Sequence, residues 1–130
     1  MGGNILATAY LYSSDQRLKK DVTPLSDSLE KILSLSGYTF TWKLSDQKDM
    51  GLIAQEVEKV FPEIVHTASG AEGYKSVEYG NLIAPVIESI KTLAKTNDSQ
   101  DEQIAKLLEV VEKQQEEITD LKKQVEALEK

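Results

Sequence analysis

From Leu82 to Lys130 the sequence reads LIAPVIESIKTLAKTNDSQDEQIAKLLEVVEKQQEEITDLKKQVEALEK, and its seven-residue rhythm decides the architecture. With Ile83 as heptad position a, the a series is Ile83, Ile90, Asn97, Ile104, Val111, Ile118 and Val125. The d series is Val86, Leu93, Gln100, Leu107, Gln114, Leu121 and Leu128, so only Asn97, Gln100 and Gln114 interrupt one continuous apolar seam. Pro85 falls in or near the first turn, where a missing N–H costs nothing. A helix of this extent is about 70 Å long. Alone it would leave its stripe in water, so the seam must meet copies of itself or fold back on the rest of the chain. Polar flanks at e and g, such as Glu117, Lys122 and Glu129, favour self-association. Ile or Val at a with Leu at d leans toward a parallel dimer, a lean that polar layers can override. The weakly helical run Lys95-Thr96-Asn97-Asp98-Ser99 leaves either one long helix or a break near Asn97.

The remaining length allows a small globular part, since 130 residues support one modest domain with an extended element attached. There is no cysteine, so neither disulfides nor thiolate metal sites are available. A formal charge of −7 and the lack of a basic patch argue against nucleic acid. No apolar run approaches the roughly 20 residues that span a bilayer, and no cofactor motif stands out. Met1-Gly2-Gly3 reads as an added start, so the natural chain is expected to extend upstream.

Ahead of the heptads, residues 5–12 (ILATAYLY) suit a strand, and Ser13-Ser14-Asp15-Gln16-Arg17-Leu18-Lys19-Lys20 follows as a polar turn. Thr23 and Pro24 can open a helix over 24–35 carrying Leu25, Leu29, Ile32 and Leu33. Tyr38, Phe40 and Trp42 alternate with polar residues, a strand whose aromatic face is expected in the core. Residues 50–54 resume as a short strand and pass into a helix over 55–61 stopped by Pro62. Segments 64–66 and 74–77 make a hairpin, and His66, the lone histidine, has no partner cluster for metal binding or catalysis. The fold class is therefore α+β: a small part of short strands and helices, then a long C-terminal helix.

A serine with a nearby lysine can make a nucleophile without histidine, provided the amine is neutral and reaches the hydroxyl. Ser14 and Lys19 are five residues apart, too far in an extended strand, so the segment has to bend. Arg17 and Lys20 would favour the neutral amine by like-charge repulsion, while Asp15 opposes this or orients Arg17, the backbone or a water.

Three stretches in this order resemble a known family. They are Ser14-Asp15-Gln16-Arg17-Leu18-Lys19, matching S-D-x-R-x-K; Gly51-Leu52-Ile53-Ala54-Gln55-Glu56-Val57 with Phe61-Pro62-Glu63-Ile64-Val65; and Tyr79 with Leu82 and the apolar helix to Leu93. The chain resembles the C-terminal intramolecular chaperone of phage endosialidases, tailspikes and tail fibres. That self-cleaving domain is also similar to the autoprocessing domain of myelin regulatory factor. The resemblance implies a homotrimer behind a β-rich fibre of the same chain, made in the host cytoplasm during phage assembly, the fibre itself joining the virion. It implies cleavage between Ser13 and Ser14, with Ser14 the nucleophile, Lys19 its general base, and Asp15 and Arg17 in support. On this reading 1–13 ends the upstream fibre, 14–81 is the chaperone core and 82–130 the trimerising coiled coil. No cofactor, nucleic acid or membrane partner is implied. The alternative is a structural trimerisation or capping module that keeps the fold without cutting.

Overall fold

The structure, a computed structural model, describes residues 6–130. Among the described residues are two antiparallel hairpins, two short α-helices and one long one, joined by loops and 3-10 turns. Helix α1 (Ser28–Leu33) and strands β1 (Tyr38–Thr41) and β2 (Lys48–Gly51) come first. Helix α2 (Ala54–Val60), strands β3 (Val65–Thr67) and β4 (Lys75–Val77), and helix α3 (Ile83–Leu128) follow. The small α+β part and the long C-terminal helix are those anticipated from the sequence.

Helix α1 starts four residues later than Pro24. Asp27, at its N-terminus, adopts a left-handed backbone (φ 55°) and makes no side-chain cap. Pro24 favours an extended Thr23, and Leu25 stays exposed, so no burial draws residues 24–27 into the helix. The strand expected over 5–12 is also not formed: residues 6–12 belong to neither sheet, and Ile5 lies outside the described residues. A strand exists only where another backbone shares its hydrogen bonds.

The core is very small. Val57 and Phe61 at α2 are its buried apolar side chains, joined by Ser28 of α1 and by Pro85 and Ser89 of α3. Helix α1 lies against the first turns of α3. The Ser89 hydroxyl donates to the Pro85 carbonyl (2.7 Å), so it is buried without an unmet hydrogen bond. Lys31 of α1 places its ammonium 5.6 Å from the Phe61 ring centroid, a cation–π contact tying α1 to α2.

In the first hairpin Tyr38 pairs with Gly51 and Phe40 with Asp49. Phe40 and Trp42 meet edge-to-face, centroids 5.1 Å apart. The aromatic face is only half core, however: Phe40 is partly buried, while Tyr38 and Trp42 remain exposed. Their polar tips are used instead. The Tyr38 hydroxyl donates to Glu56 of α2 (3.0 Å) and the Trp42 indole N–H to Asp49 (3.1 Å). In the second hairpin Lys75 reaches Glu58 of α2 at 2.8 Å, and His66 Nε2 lies 3.0 Å from Glu78.

A 3-10 turn, Tyr79–Leu82, leads into α3. The Tyr79 hydroxyl accepts the Leu52 N–H at 2.8 Å, and a Cβ on Gly51 would come within 2.7 Å of that oxygen. Gly51 is thus the notch that admits Tyr79. Gly51→Ala is expected to push the hydroxyl away and cost about 1 kcal/mol, the usual worth of one such bond. Tyr79→Phe should cost about as much, and the double variant no more than either alone. Urea midpoints at one fixed protein concentration measure this; additive losses would mean the two residues act separately.

Helix α3 is one unbroken helix of 46 residues, so Asn97 marks no break. The Thr92 and Thr96 hydroxyls in that run bond back to the Glu88 and Thr92 carbonyls (3.0 Å each), which keeps both polar groups inside the helix. Within one chain the seam from Ile90 onward faces solvent, with Leu107 still 63% exposed.

Candidate active site

The turn around Ser14 is built by its own side chains. Asp15 caps the 3-10 turn Gln16–Leu18, its carboxylate accepting the Arg17 N–H at 2.8 Å. Its carbonyl accepts the Leu18 N–H (3.1 Å), and the Gln16 carbonyl accepts that of Lys19 (3.0 Å). The Arg17 guanidinium then grips the same carboxylate twice, Nε to Oδ1 at 3.0 Å and Nη2 to Oδ2 at 2.7 Å. One turn of 3-10 helix between positions 15 and 19 shortens the path that an extended strand would have spanned. The Lys19 ammonium consequently donates to Ser14 Oγ at 2.8 Å.

Of the side chains singled out in the sequence, the structure pairs Ser14 with Lys19 and Asp15 with Arg17. Ser13 precedes them on the same backbone. Lys20 takes no part in these contacts, and Arg17, at 88% side-chain exposure, serves the turn through Asp15. Its charge is committed there, so the suggested repulsion onto Lys19 is offset by the Asp15 carboxylate.

Hydrogen bonding from the Arg17 guanidinium holds the Asp15 carboxyl below its ordinary value, with the Arg17 backbone N–H adding to the effect and slight desolvation opposing it. Because the folded value is lowered, this stabilisation of the turn is complete above the ordinary carboxylate range. It is lost only as pH falls through the depressed value, below about 4. Arg17→Ala is expected to move the Asp15 carboxyl titration, followed by carbon NMR, upward toward the ordinary value. An unchanged midpoint would remove the ion pair from the account of this turn.

Two contacts that sequence reasoning missed place this turn in the fold. A Cβ on Gly80 would lie 3.3 Å from the Tyr12 hydroxyl oxygen and 3.4 Å from its ring carbon Cζ. Tyr79, next to it, holds Leu52. The second and third sequence stretches thus meet at the turn that opens α3, through Gly51 and Leu52 on one side and Tyr79 on the other, and Tyr12, two residues ahead of the first stretch, lies against Gly80 in the same turn. Tyr79 stood out in the sequence, but nothing there named its partner. Among the described residues no group of three His, Cys, Asp or Glu side chains is arranged to hold a metal, and no helix is long and apolar enough to cross a membrane.

Residues 14–66 match the family model described as chaperone of endosialidase, whose name also classes it as a peptidase family. This segment belongs to the chaperone-of-endosialidase family. Its first matched residue is Ser14, the residue whose hydroxyl meets Lys19. Chains of curated proteins carry the same likeness. Long tail fiber protein Gp37 of Salmonella phage S16 is 29% identical over 119 residues, covering 85% of this chain and 16% of that protein. The protein of the same name from Escherichia phage AR1 is 35% identical over 78 residues, covering 54% of this chain and 7% of its relative. The chain thus spans less than a fifth of the length of these curated relatives. The chaperone-of-endosialidase segment contributes β1, β2, the start of β3, both short helices and the Ser14 turn, while β4 and α3 lie beyond the matched residues.

Proposed function

We propose that this chain is a trimerising intramolecular chaperone for an upstream phage tail fibre, and that it releases itself by cutting between Ser13 and Ser14. The observation that carries the reading is the 2.8 Å contact between Lys19 Nζ and Ser14 Oγ at the first residue of the family match. Family membership and tail-fibre relatives support the chaperone role, the fibre cargo and a place in virion assembly. The division at 13/14 and near 82 follows from the same reading.

The chemistry uses three groups. Lys19, as the neutral amine, takes the proton of Ser14 Oγ, which attacks the Ser13 carbonyl carbon. The Ser13–Ser14 C–N bond breaks and the proton passes to the Ser14 nitrogen, leaving an ester between Ser13 and Ser14 Oγ. Water hydrolyses that ester to a Ser13 carboxylate and a free Ser14. Direct attack by a Lys19-activated water is the shorter alternative. Asp15 and Arg17 act by folding Lys19 back onto Ser14. The N–H groups of Arg17, Leu18 and Lys19 are spent on the turn, so the oxyanion donors come from elsewhere.

Ser14 and Lys19 are both exposed in the single chain. A lysine serves as a general base only where its surroundings disfavour the ammonium, and removal from water does so. Burial between chains therefore offers a physical gate: assembly dries the dyad and holds the scissile bond. Intact mass of the purified assembly, with Ser14→Ala as its partner sample, tests the reading. The expected product begins at Ser14, whereas an uncut assembly after long incubation leaves only the structural trimerisation module.

A further inference from the structure

Tyr12 is the second residue on the acyl side of the Ser13–Ser14 bond, and its side chain reaches across to the turn that begins α3. The contact is made by the hydroxyl end of the ring: the spot a Gly80 Cβ would occupy lies 3.3, 3.4 and 3.8 Å from the Tyr12 hydroxyl oxygen, Cζ and Cε2. The rest of the ring stays open, with Tyr12 72% exposed. Gly80 has no left-handed backbone, so turn geometry alone does not require glycine there. Its value is the flat surface it leaves. Next to it, Tyr79 is locked by the Leu52 N–H and by the Gly51 notch, so the seat is fixed to β2 as well as to α3.

We infer that Gly80 is a positioning residue for self-cleavage, seating Tyr12 so that the segment on the acyl side of the scissile bond is held by the turn that starts the self-associating helix. The inference rests on the proposed cut at Ser13–Ser14. It adds a route by which assembly of α3 reaches the reacting carbonyl. A nucleophile only one residue from its target gains from proximity only if the preceding backbone is also held, and small misplacements of a reacting group cost large factors in rate.

The test uses Gly80→Leu, Tyr12→Ala and their combination in the full chain. An alanine at position 80 would ask only a small shift of a movable ring tip, whereas leucine fills the seat. Each single variant is expected to slow self-cleavage about ten- to a hundredfold, with unchanged oligomeric state and urea midpoint. The double variant should be no slower than Tyr12→Ala alone, since both act through one contact. Tyr12→Phe, which keeps the ring, should recover most of the rate. A second arm needs no self-cleavage: in the Ser14→Ala background, chymotrypsin nicking after Tyr12 should run several-fold faster when Gly80 is leucine. Wild-type self-cleavage rates in the Gly80→Leu chain overturn the inference, whatever the nicking shows. If the parent chain itself never cuts, the proposed function falls, and equal nicking rates with and without Gly80→Leu then remove the seat as well.

Discussion

Ser14→Ala is expected to abolish release of the C-terminal fragment, leaving one species of full-length mass after an incubation that converts the parent chain completely. Alanine removes the only atom that bridges to the Ser13 carbonyl by acyl shift, and the uncatalysed peptide bond does not hydrolyse on that timescale. Lys19→Ala should slow cleavage at least a hundredfold, the lower range of what a positioned base supplies. Lys19→Arg should be as slow. A guanidinium could keep a contact to Ser14 Oγ, yet it cannot surrender its proton to become a base. That comparison separates a base from a mere hydrogen-bond donor, because a purely structural lysine would be partly replaced by arginine. Added hydroxylamine should speed release and leave a hydroxamate on Ser13 if an ester forms; no hydroxamate would favour direct attack by water. Full activity of Lys19→Ala in a verified assembly would end the dyad as the explanation of cleavage.

Legibility from sequence followed the range of the interactions. The heptad from Ile83 to Leu128 is a local rhythm, and it gave the long helix without help from the rest of the chain. Helix α2 and the second hairpin were marked by Pro62, Gly70 and Gly73, again local punctuation. The start of α1 was missed because Asp27 takes a left-handed backbone, which Thr23-Pro24 upstream did not signal. The strand expected over 5–12 needed a partner backbone, which a reading of that segment alone cannot supply. At the site, the need for a bend between Ser14 and Lys19 was readable from their spacing. Asp15 as an N-cap before a short turn was the signal for how the bend is made. The Tyr79–Leu52 and Tyr12–Gly80 contacts were not readable, since each joins segments far apart in the chain by a single pair of atoms or a flat seat. Gly51 within a strand was a hint of close approach, without naming what approaches.

Placing aspartate at both Ile118 and Leu121 is expected to dissociate the proposed trimer and to stop the proposed cleavage along with it. These are adjacent a and d positions in the stretch of α3 where the single chain has no covering contacts, and both are about half exposed there. Among the described residues the globular part buries only Val57 and Phe61 as apolar side chains, so little of the chain's order rests on its own core. Burying each apolar side chain of the seam contributes about 2 kcal/mol per chain. Replacing it with a carboxylate loses that and adds the cost of a buried charge repeated in every chain. Sedimentation should show the monomer at micromolar concentration, with α3 shortened or frayed by circular dichroism. Glu116→Ala, at the outward f position two residues before Ile118, should leave both assembly and cleavage unchanged. If the dyad needs a partner chain to dry it, the aspartate variant should retain Ser14 and Lys19 yet stay full-length, and raising protein concentration should restore cutting only as far as it restores the oligomer. A monomer that cuts at the parent rate would detach the chemistry from assembly. The 2.8 Å contact would then be sufficient in water, and the long helix would serve the fibre alone.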